Sequence, residues 1–412
     1  MSHEITIIGA GIIGVSIGLE LARRGQKVRV LDRKGVAGET SAGNAGAFAF
    51  QEVEPLAKPG IMKQAPKWLL DPLGPLSVPP AYAVQIAPWM LRLWRASWRD
   101  RYEGSMKAQA ELMHMAKAAF ERQVAHINRE DLIQRKGQMA LYEGEKAYRA
   151  TLPAWELKKQ HGFDAIHLTS PEAIAEYQPG LHPRFTHGAF TPNWFNTVDP
   201  KLWTETVAQA LRDAGGEIQI TSVRNILPTE TGVRIDTDEG VIETQKLIVA
   251  AGAWSHHLAR HLGDKIPLET ERGYNTTLPP GAFDLRTHLT FSQHGFVASG
   301  INGGVRIGGA VELGGLTLPP NYKRADALLK KAKAFMPGLN TEGGTQWMGY
   351  RPSLPDTLPV IGASPKDPRV LYAFGHGHLG LTQSAGTAEL VADLALGATP
   401  GLELAPFAPT RF

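Results

Sequence analysis

The sequence predicts a mixed α/β fold: a Rossmann-like, doubly wound domain interleaved with a second domain built on an antiparallel sheet. Three observations predict it. A β–α–β unit opens the chain, strand signals return in its middle and at its end, and two long segments between them break the alternation.

Residues 4–8 (EITII) are a short apolar run ending at Gly9, which suits a buried parallel strand. From Gly11 to Arg24 the apolar residues Ile13, Val15, Ile17 and Leu21 recur at helical spacing, and Gly25 stands where a helix stops. Residues 27–31 (KVRVL) form a second buried strand ending at Asp32. Beyond it, 35–46 (GVAGETSAGNAG) are almost all small, and a Pro-, Trp- and Tyr-rich region runs to about residue 105. Charged helical segments fill 106–161, strands appear around 185–195, and a helix spans 200–214. Strands at 217–222, 233–237 and 241–250 close on IVAAGAWS. A strand-rich block covers 269–315, and a helix covers 323–335. The C-terminal stretch carries GYRPSLPDTLPVIG, the strand VLYAFG, a Gly/His turn and a helix to about 396. The expected partition is 1–60, 190–260 and 346–412 in the Rossmann-like domain, with 61–189 and 261–345 in the second.

Composition excludes several function classes. With 43% hydrophobic and 20% charged residues the chain is an ordinary globular one, and a net charge of +3 is too small to argue for nucleic acid. The absence of cysteine removes disulfides, thiolate metal sites, iron–sulfur clusters and any prosthetic group tethered through sulfur. Met-Ser-His-Glu runs straight into the first strand without a basic n-region, and no apolar run reaches the about eighteen residues of a spanning helix. The expectation is no signal peptide, no transmembrane helix and a cytoplasmic location.

Gly9, Gly11 and Gly14 form a GxGxxG between strand and helix. The pattern serves a tight turn, close approach of a pyrophosphate and close packing of helix on strand. The helix N-terminus offers free N–H groups to the phosphates, and Asp32, about twenty residues on, accepts ribose hydroxyls. A merely tight turn would leave Asp32 unexplained. A nicotinamide domain continues in regular alternation, whereas GETSAGNAG is what an extended flavin dinucleotide lying on backbone requires; on composition alone it also reads as a surface loop. Thr40 and Ser41 are placed to donate to the pyrophosphate, and Asn44, Ala45 and Gly46 to pass beneath the flavin ring.

GAGIIG, Asp32, ETSAGNAG, IVAAGAWS, GYRPSLPDTLPVIG and GHGHLGLT together resemble the D-amino acid oxidase-type superfamily of FAD-dependent oxidoreductases over nearly the whole chain. The look is that of bacterial D-amino acid dehydrogenases, with glycine and sarcosine oxidases as relatives. KWLLDPLGPLS (67–77), ERGY (271–274), GHGHLG and the tail PFAPTRF resemble glyphosate oxidoreductase. The resemblance implies non-covalent FAD, with Gly9, Ala10, Gly11, Ile12, Ile13 and Gly14 at the pyrophosphate and Asp32, Arg33 and Lys34 at the adenosine ribose. It implies that the Val223 backbone contacts the adenine and that Ala251 and Gly252 admit the cofactor close to the sheet. As a strand valine and a Gly-containing turn, these three also have plain structural readings.

Arg351 in GYRP is the leading catalytic candidate. A guanidinium fork binds the planar carboxylate of an amino acid bidentately, and the resemblance gives this arginine that role. Pro352, Pro355 and Pro359 stiffen its segment; the plain alternative is a salt-bridge arginine. Tyr274 either supplies a hydroxyl to the same carboxylate or is a packed strand tyrosine. In 375–382 (GHGHLGLT), the backbone of Gly377, His378, Leu379, Gly380, Leu381 and Thr382 is expected at the flavin pyrimidine edge, where a helix start stabilises the charge of the reduced ring. His376 and His378 make a poor metal site, so no metal is expected; His378 either tunes the flavin or contacts substrate, or both are turn histidines.

The expected reaction is hydride transfer from Cα of a D-amino acid or N-substituted glycine to flavin N5, giving an imine that water converts to an oxo acid. The alternatives are a glycine/sarcosine-type oxidase releasing hydrogen peroxide, and a non-catalytic flavin-binding assembly protein. Trp68, Trp89, Trp94 and Trp98, set among Lys, Arg and Pro, either pack the second domain or touch the inner face of a membrane, where a quinone or respiratory carrier takes the electrons.

Overall fold

The computed structural model describes residues 4–62, 74 and 76–412. Met1–His3, Trp68 and all of the 67–77 stretch except Gly74, Leu76 and Ser77 lie outside the described residues.

A six-stranded sheet holds the strands in the order Glu217–Ile220, Val28–Asp32, Ile5–Ile8, Lys246–Val249, Val370–Phe374 and Val360–Ala363. All neighbours are parallel except the last pair. Ile5–Ile8 and Val370–Phe374 are buried throughout, as strands covered on both faces must be. On one face the helix Ile12–Arg23 packs against helices Pro200–Asp213 and Gly380–Leu396, with Val15, Leu19, Trp203, Leu211 and Leu390 in a common apolar core. The start of Pro200–Asp213 is locally encoded: Asp199 accepts from the N–H groups of Lys201 and Leu202 at 2.7 and 3.2 Å, and Pro200 follows the cap. On the other face a three-stranded antiparallel meander (Val223–Pro228, Val233–Thr237, Gly240–Thr244) lays Ile226 and Ile235 over Leu31 and Val249.

A nine-stranded sheet forms the second layer. Its main path is Thr345–Ser353, Glu269–Leu278, Gly304–Glu312, Phe296–Ile301, His288–Phe291, Gln138–Tyr142, His187–Thr191 and Ile166–Leu168, with Leu76–Ser77 pairing Gly304–Glu312. Pairing is antiparallel except at His288–Phe291 with Gln138–Tyr142 and at Leu76–Ser77. Helix Lys323–Phe335 covers one face through Leu328, Ala332 and Phe335. The mixed α/β reading with an inserted antiparallel sheet therefore describes the molecule.

Three details depart from the sequence reading. The stretch 106–161 is not all helical: after helix Arg99–Ile127 the chain forms strand Gln138–Tyr142, buried at all five positions and central in the second sheet. Five residues without alternation carry too little periodic signal to stand out beside a 29-residue helix. That helix, assigned by sequence to the second domain, packs against Gly380–Leu396, and its Leu112, Ala116 and Phe120 join the core of the Rossmann-like sheet. The expected strand 241–250 is two strands: Gly240–Thr244 closes the meander, and Lys246–Val249 enters the six-stranded sheet.

No described helix is long and apolar enough to cross a membrane.

Candidate active site

A cavity of about 1060 Å³ opens between the C-terminal ends of the parallel strands and the second sheet. It begins at Val223, Trp254 and His257, passes Gly9, Gly11, Ile12, Ile13 and Ser41, and ends at Arg351, His378 and Glu52. This is the crevice where ligands of doubly wound sheets bind.

The glycine loop is shaped by close approach. Gly9 has φ +113°, and a Cβ there would run into the Ala250 carbonyl; one at Gly14 would strike the Gly9 carbonyl. Asp32 organises the loop with both oxygens: Oδ2 accepts from Ala10 N at 2.9 Å, and Oδ1 accepts from Lys34 and Gly35 N at 2.7 and 3.0 Å. The carboxylate thus serves the backbone as well as facing the cavity. Arg33 lies 4.0 Å over the Trp254 ring and pairs with Glu39, which sequence reading missed. Lys34 turns its ammonium to the same Glu39 at 2.7 Å, so its side chain belongs to this rim rather than to the cavity wall.

The small-residue stretch is an ordered liner. Ser41 Oγ accepts from Ile12 N at 3.0 Å, Asn44 Oδ1 accepts from Gly46 N at 2.8 Å, and Gly46 O accepts from Thr197 N at 2.7 Å. Ala45 O accepts from Asn196 Nδ2 at 3.4 Å. Thr40 departs from expectation: its hydroxyl donates to Tyr350 O at 2.8 Å, tying the loop to the strand that carries Arg351. Arg306, unnoticed in a strand without a motif, lines the cavity and donates to Asn44 O at 2.6 Å; burial pushes its pKa down. Val223, Ala251, Gly252, Gly377, Leu379, Gly380 and Leu381 all line the cavity. Thr382 does not: buried, its hydroxyl accepts from Ala49 N at 2.9 Å, because it caps a neighbouring segment from inside the helix.

At the far end stands Arg351, on strand Thr345–Ser353. Its guanidinium lies over Gly273 and donates from Nη1 to Ala310 O at 3.0 Å, leaving the rest of the fork for a ligand. Burial pushes its pKa down while Glu271 opposes. Among the described residues it forms no ion pair, so the salt-bridge alternative is not what the structure shows. Tyr274 is the packed strand tyrosine. It borders the cavity but is 1% exposed, and its hydroxyl is taken by protein partners, donating to Glu312 at 2.9 Å and accepting from Asn321 N at 3.0 Å.

The two turn histidines separate. His376 is buried and hydrogen-bonded to Thr387 at 3.0 Å, a structural residue. His378 lines the cavity and is open to it, and desolvation and then Arg351 push its pKa down against the pull of Glu52. Glu52 pairs with Lys158 at 2.8 Å, closing the cavity wall; burial raises its pKa, but Lys158 and His378 bring it below the usual range. No group of His, Asp and Glu among the described residues could hold a metal ion.

Residues 4–394 match the family described as FAD dependent oxidoreductase. Over 418 residues the chain is 34% identical to the D-amino-acid oxidase of Bradyrhizobium diazoefficiens, covering 100% of this chain and 99% of that one. It is 28% identical to D-amino acid dehydrogenase 1 of Mesorhizobium japonicum, covering 99% of both. In fold it is similar to the glycine oxidase of Geobacillus kaustophilus, with a TM-score of 0.78 at 22% identity over 100% of this chain and 99% of the other.

Proposed function

The chain belongs to the FAD-dependent oxidoreductase family, and from that premise we propose that it oxidises the α-carbon of a D-amino acid or N-substituted glycine to an imine, which water converts to an oxo acid. Its cofactor is FAD and its substrates are amino acids, as in the relatives above. The cavity suits that cofactor: the glycine loop leaves no room for side chains beside the Ala250 carbonyl, and Gly11, Ile12, Ser41 and Arg306 line the path from Val223 to Arg351. When bound, FAD supplies the hydride acceptor.

The protein's own part is placement. A single observation carries the reading: a cavity-facing guanidinium with no ion-pair partner among the described residues, braced by Ala310 O and lying over Gly273, at the end opposite the nucleotide loop. Such a fork holds a carboxylate bidentately and thereby fixes where the neighbouring Cα–H points. His378, its pKa held below the ordinary value by desolvation and by Arg351, is neutral at pH ~7 and above and adds no charge beside the substrate amine. An anaerobic panel of D-amino acids and N-substituted glycines tests the proposal. At least one should bleach the flavin absorbance; failure of every member would favour an assembly protein that only carries the flavin. Peroxide release under air would assign an oxidase, and turnover only with dyes or quinones a dehydrogenase.

One surface favours the dehydrogenase branch. Helix Ala83–Ala96 buries Ile86 and Trp89 against Leu313, whereas Val84 and Leu91 are exposed, as are Trp94 and, just beyond it, Trp98. The expected tryptophans thus divide, with Trp89 packing the interior and Trp94 and Trp98 facing out beside Arg92 and Arg95. We read this face as resting on a bilayer that delivers a quinone. Co-sedimentation with anionic vesicles, lost in Leu91→Glu, is the expected result; equal recovery with and without vesicles would remove the reading.

A further inference from the structure

We propose that Glu271 is a resident competitor for Arg351: in the free enzyme its carboxylate sits in the arginine's field, and a substrate carboxylate binds by displacing that interaction while Glu271 takes up a proton. The inference rests on the reading of Arg351 as the carboxylate clamp.

The sheet register creates the relationship. Strands Glu269–Leu278 and Thr345–Ser353 run antiparallel with Glu271 opposite Arg351, so both side chains leave the same face of the sheet. That face is the cavity wall, and both residues line it. Glu271 is 8% exposed and, among the described residues, enters no ion pair; Arg351, opposite it in the register, is the charge that acts on it. Burial raises the Glu271 pKa, with Arg351 and Ser353 opposing. A guanidinium serves one carboxylate bidentately. A second anion arriving on it stands beside Glu271, and two carboxylates sharing one site drive the pKa of one upward. Binding therefore draws a proton onto Glu271, and carboxylate affinity must fall as pH rises through its range.

The other charged groups nearby do not produce this dependence. Glu269, on the same face, is tied to the Tyr82 hydroxyl at 2.9 Å and to Thr270 N at 2.7 Å. Arg272 and Glu312 belong to the opposite face and pair with each other at 3.2 Å. His376, in the turn after Phe374, is buried and pushed down to about 3, and His378, open to the cavity, is held below its ordinary value by desolvation and Arg351, so both are neutral above pH ~7.

Benzoate is a suitable probe, since it carries a carboxylate and no amine. Its dissociation constant is read from the perturbed visible spectrum of the holoenzyme between about pH 6 and 9. In wild type, affinity should fall with pH by at least about tenfold in total, with a limiting slope of about tenfold per unit for one proton. Glu271→Gln should match wild type at the acid end and stay flat, and Glu269→Gln should keep the wild-type slope. Calorimetry of wild type in buffers of different ionisation heat should show proton uptake with benzoate, which decides the matter even where the glutamine variant fails to fold. A flat wild-type profile without proton uptake, an unchanged slope in Glu271→Gln, a lost slope in Glu269→Gln, or weaker binding by Glu271→Gln at every pH would each overturn the proposal. Arg351→Met separates the two readings: loss of benzoate binding upholds the clamp whatever Glu271 does, and retention removes the clamp itself.

Discussion

The guanidinium of Arg351 lies over the bare α-carbon of Gly273, in the space that a Cβ at position 273 would fill. Arg351 stands opposite Glu271 and Gly273 opposite Gly349, so the arginine reaches diagonally over the glycine on the same face, and the glycine sets how low it lies against the cavity wall. Gly273→Ala should lift the fork out of position. The Michaelis constant for the amino acid should rise about tenfold, equivalent to about 1.4 kcal/mol, with flavin content retained. Overpacking should cost about 1–3 kcal/mol of stability. Steady-state kinetics and flavin absorbance check this, and an unaltered Michaelis constant would separate Arg351 from substrate binding.

Asp32 accepts three backbone N–H groups, one from the glycine loop at Ala10 and two from the turn after its own strand at Lys34 and Gly35. Asp32→Ala removes a charged acceptor and leaves those donors facing a partly buried gap, a loss of about 2–4 kcal/mol. The protein should purify without colour, and added FAD should restore little of the melting temperature. Full flavin content in the variant would show that the loop closes on the cofactor without the carboxylate.

The nucleotide half of the site was legible because it is encoded locally. Ile5–Ile8, Gly9, helix Ile12–Arg23 and Asp32 are consecutive, and Gly14 is demanded by Gly9 within the same unit and Gly9 by Ala250 at the end of the adjoining strand. Arg351 was legible through its motif. Glu271, Arg306 and the Glu52–Lys158 pair were not, since what makes them matter is the partner that distant pairing supplies. Arg306 reaches Asn44 O only because strand Gly304–Glu312 crosses the liner, and Lys158 meets Glu52 from a separate helix. Tyr274 was left with two readings for the converse reason: nothing local to ERGY announces that Glu312 and Asn321 will take its hydroxyl.

Thr382 illustrates how a motif residue adjoining a site differs from one within it. Its hydroxyl satisfies Ala49 N–H in a buried setting. Thr382→Val should strand that donor and cost about 1–3 kcal/mol in denaturant unfolding, while flavin content and kinetic constants of the folded enzyme stay as in wild type. A specific loss of flavin at unchanged stability would return the residue to the cofactor side.

Buried histidines set the acid limit of the fold. His288 and His376 are 4% and 3% exposed, and burial pushes both down to about 3 from an ordinary 6.5. Above pH 6.5 each is neutral in both folded and unfolded chains and adds nothing. As pH falls below 6.5 the unfolded chain takes up protons that the folded one refuses, so stability drops by at most about 1.4 kcal/mol per pH unit for each histidine until the folded pKa is reached. Carboxylates contribute alike to wild type and variant, so the comparison is between pH increments. From pH 7 to 5, His376→Gln should lose up to about 2 kcal/mol less than wild type, even though it starts lower for want of a good partner to Thr387. Denaturant midpoints at the two pH values measure both increments. Equal increments would mean that position 376 takes its proton as readily in the fold as in the open chain, and that the turn beneath the cavity is not closed to water.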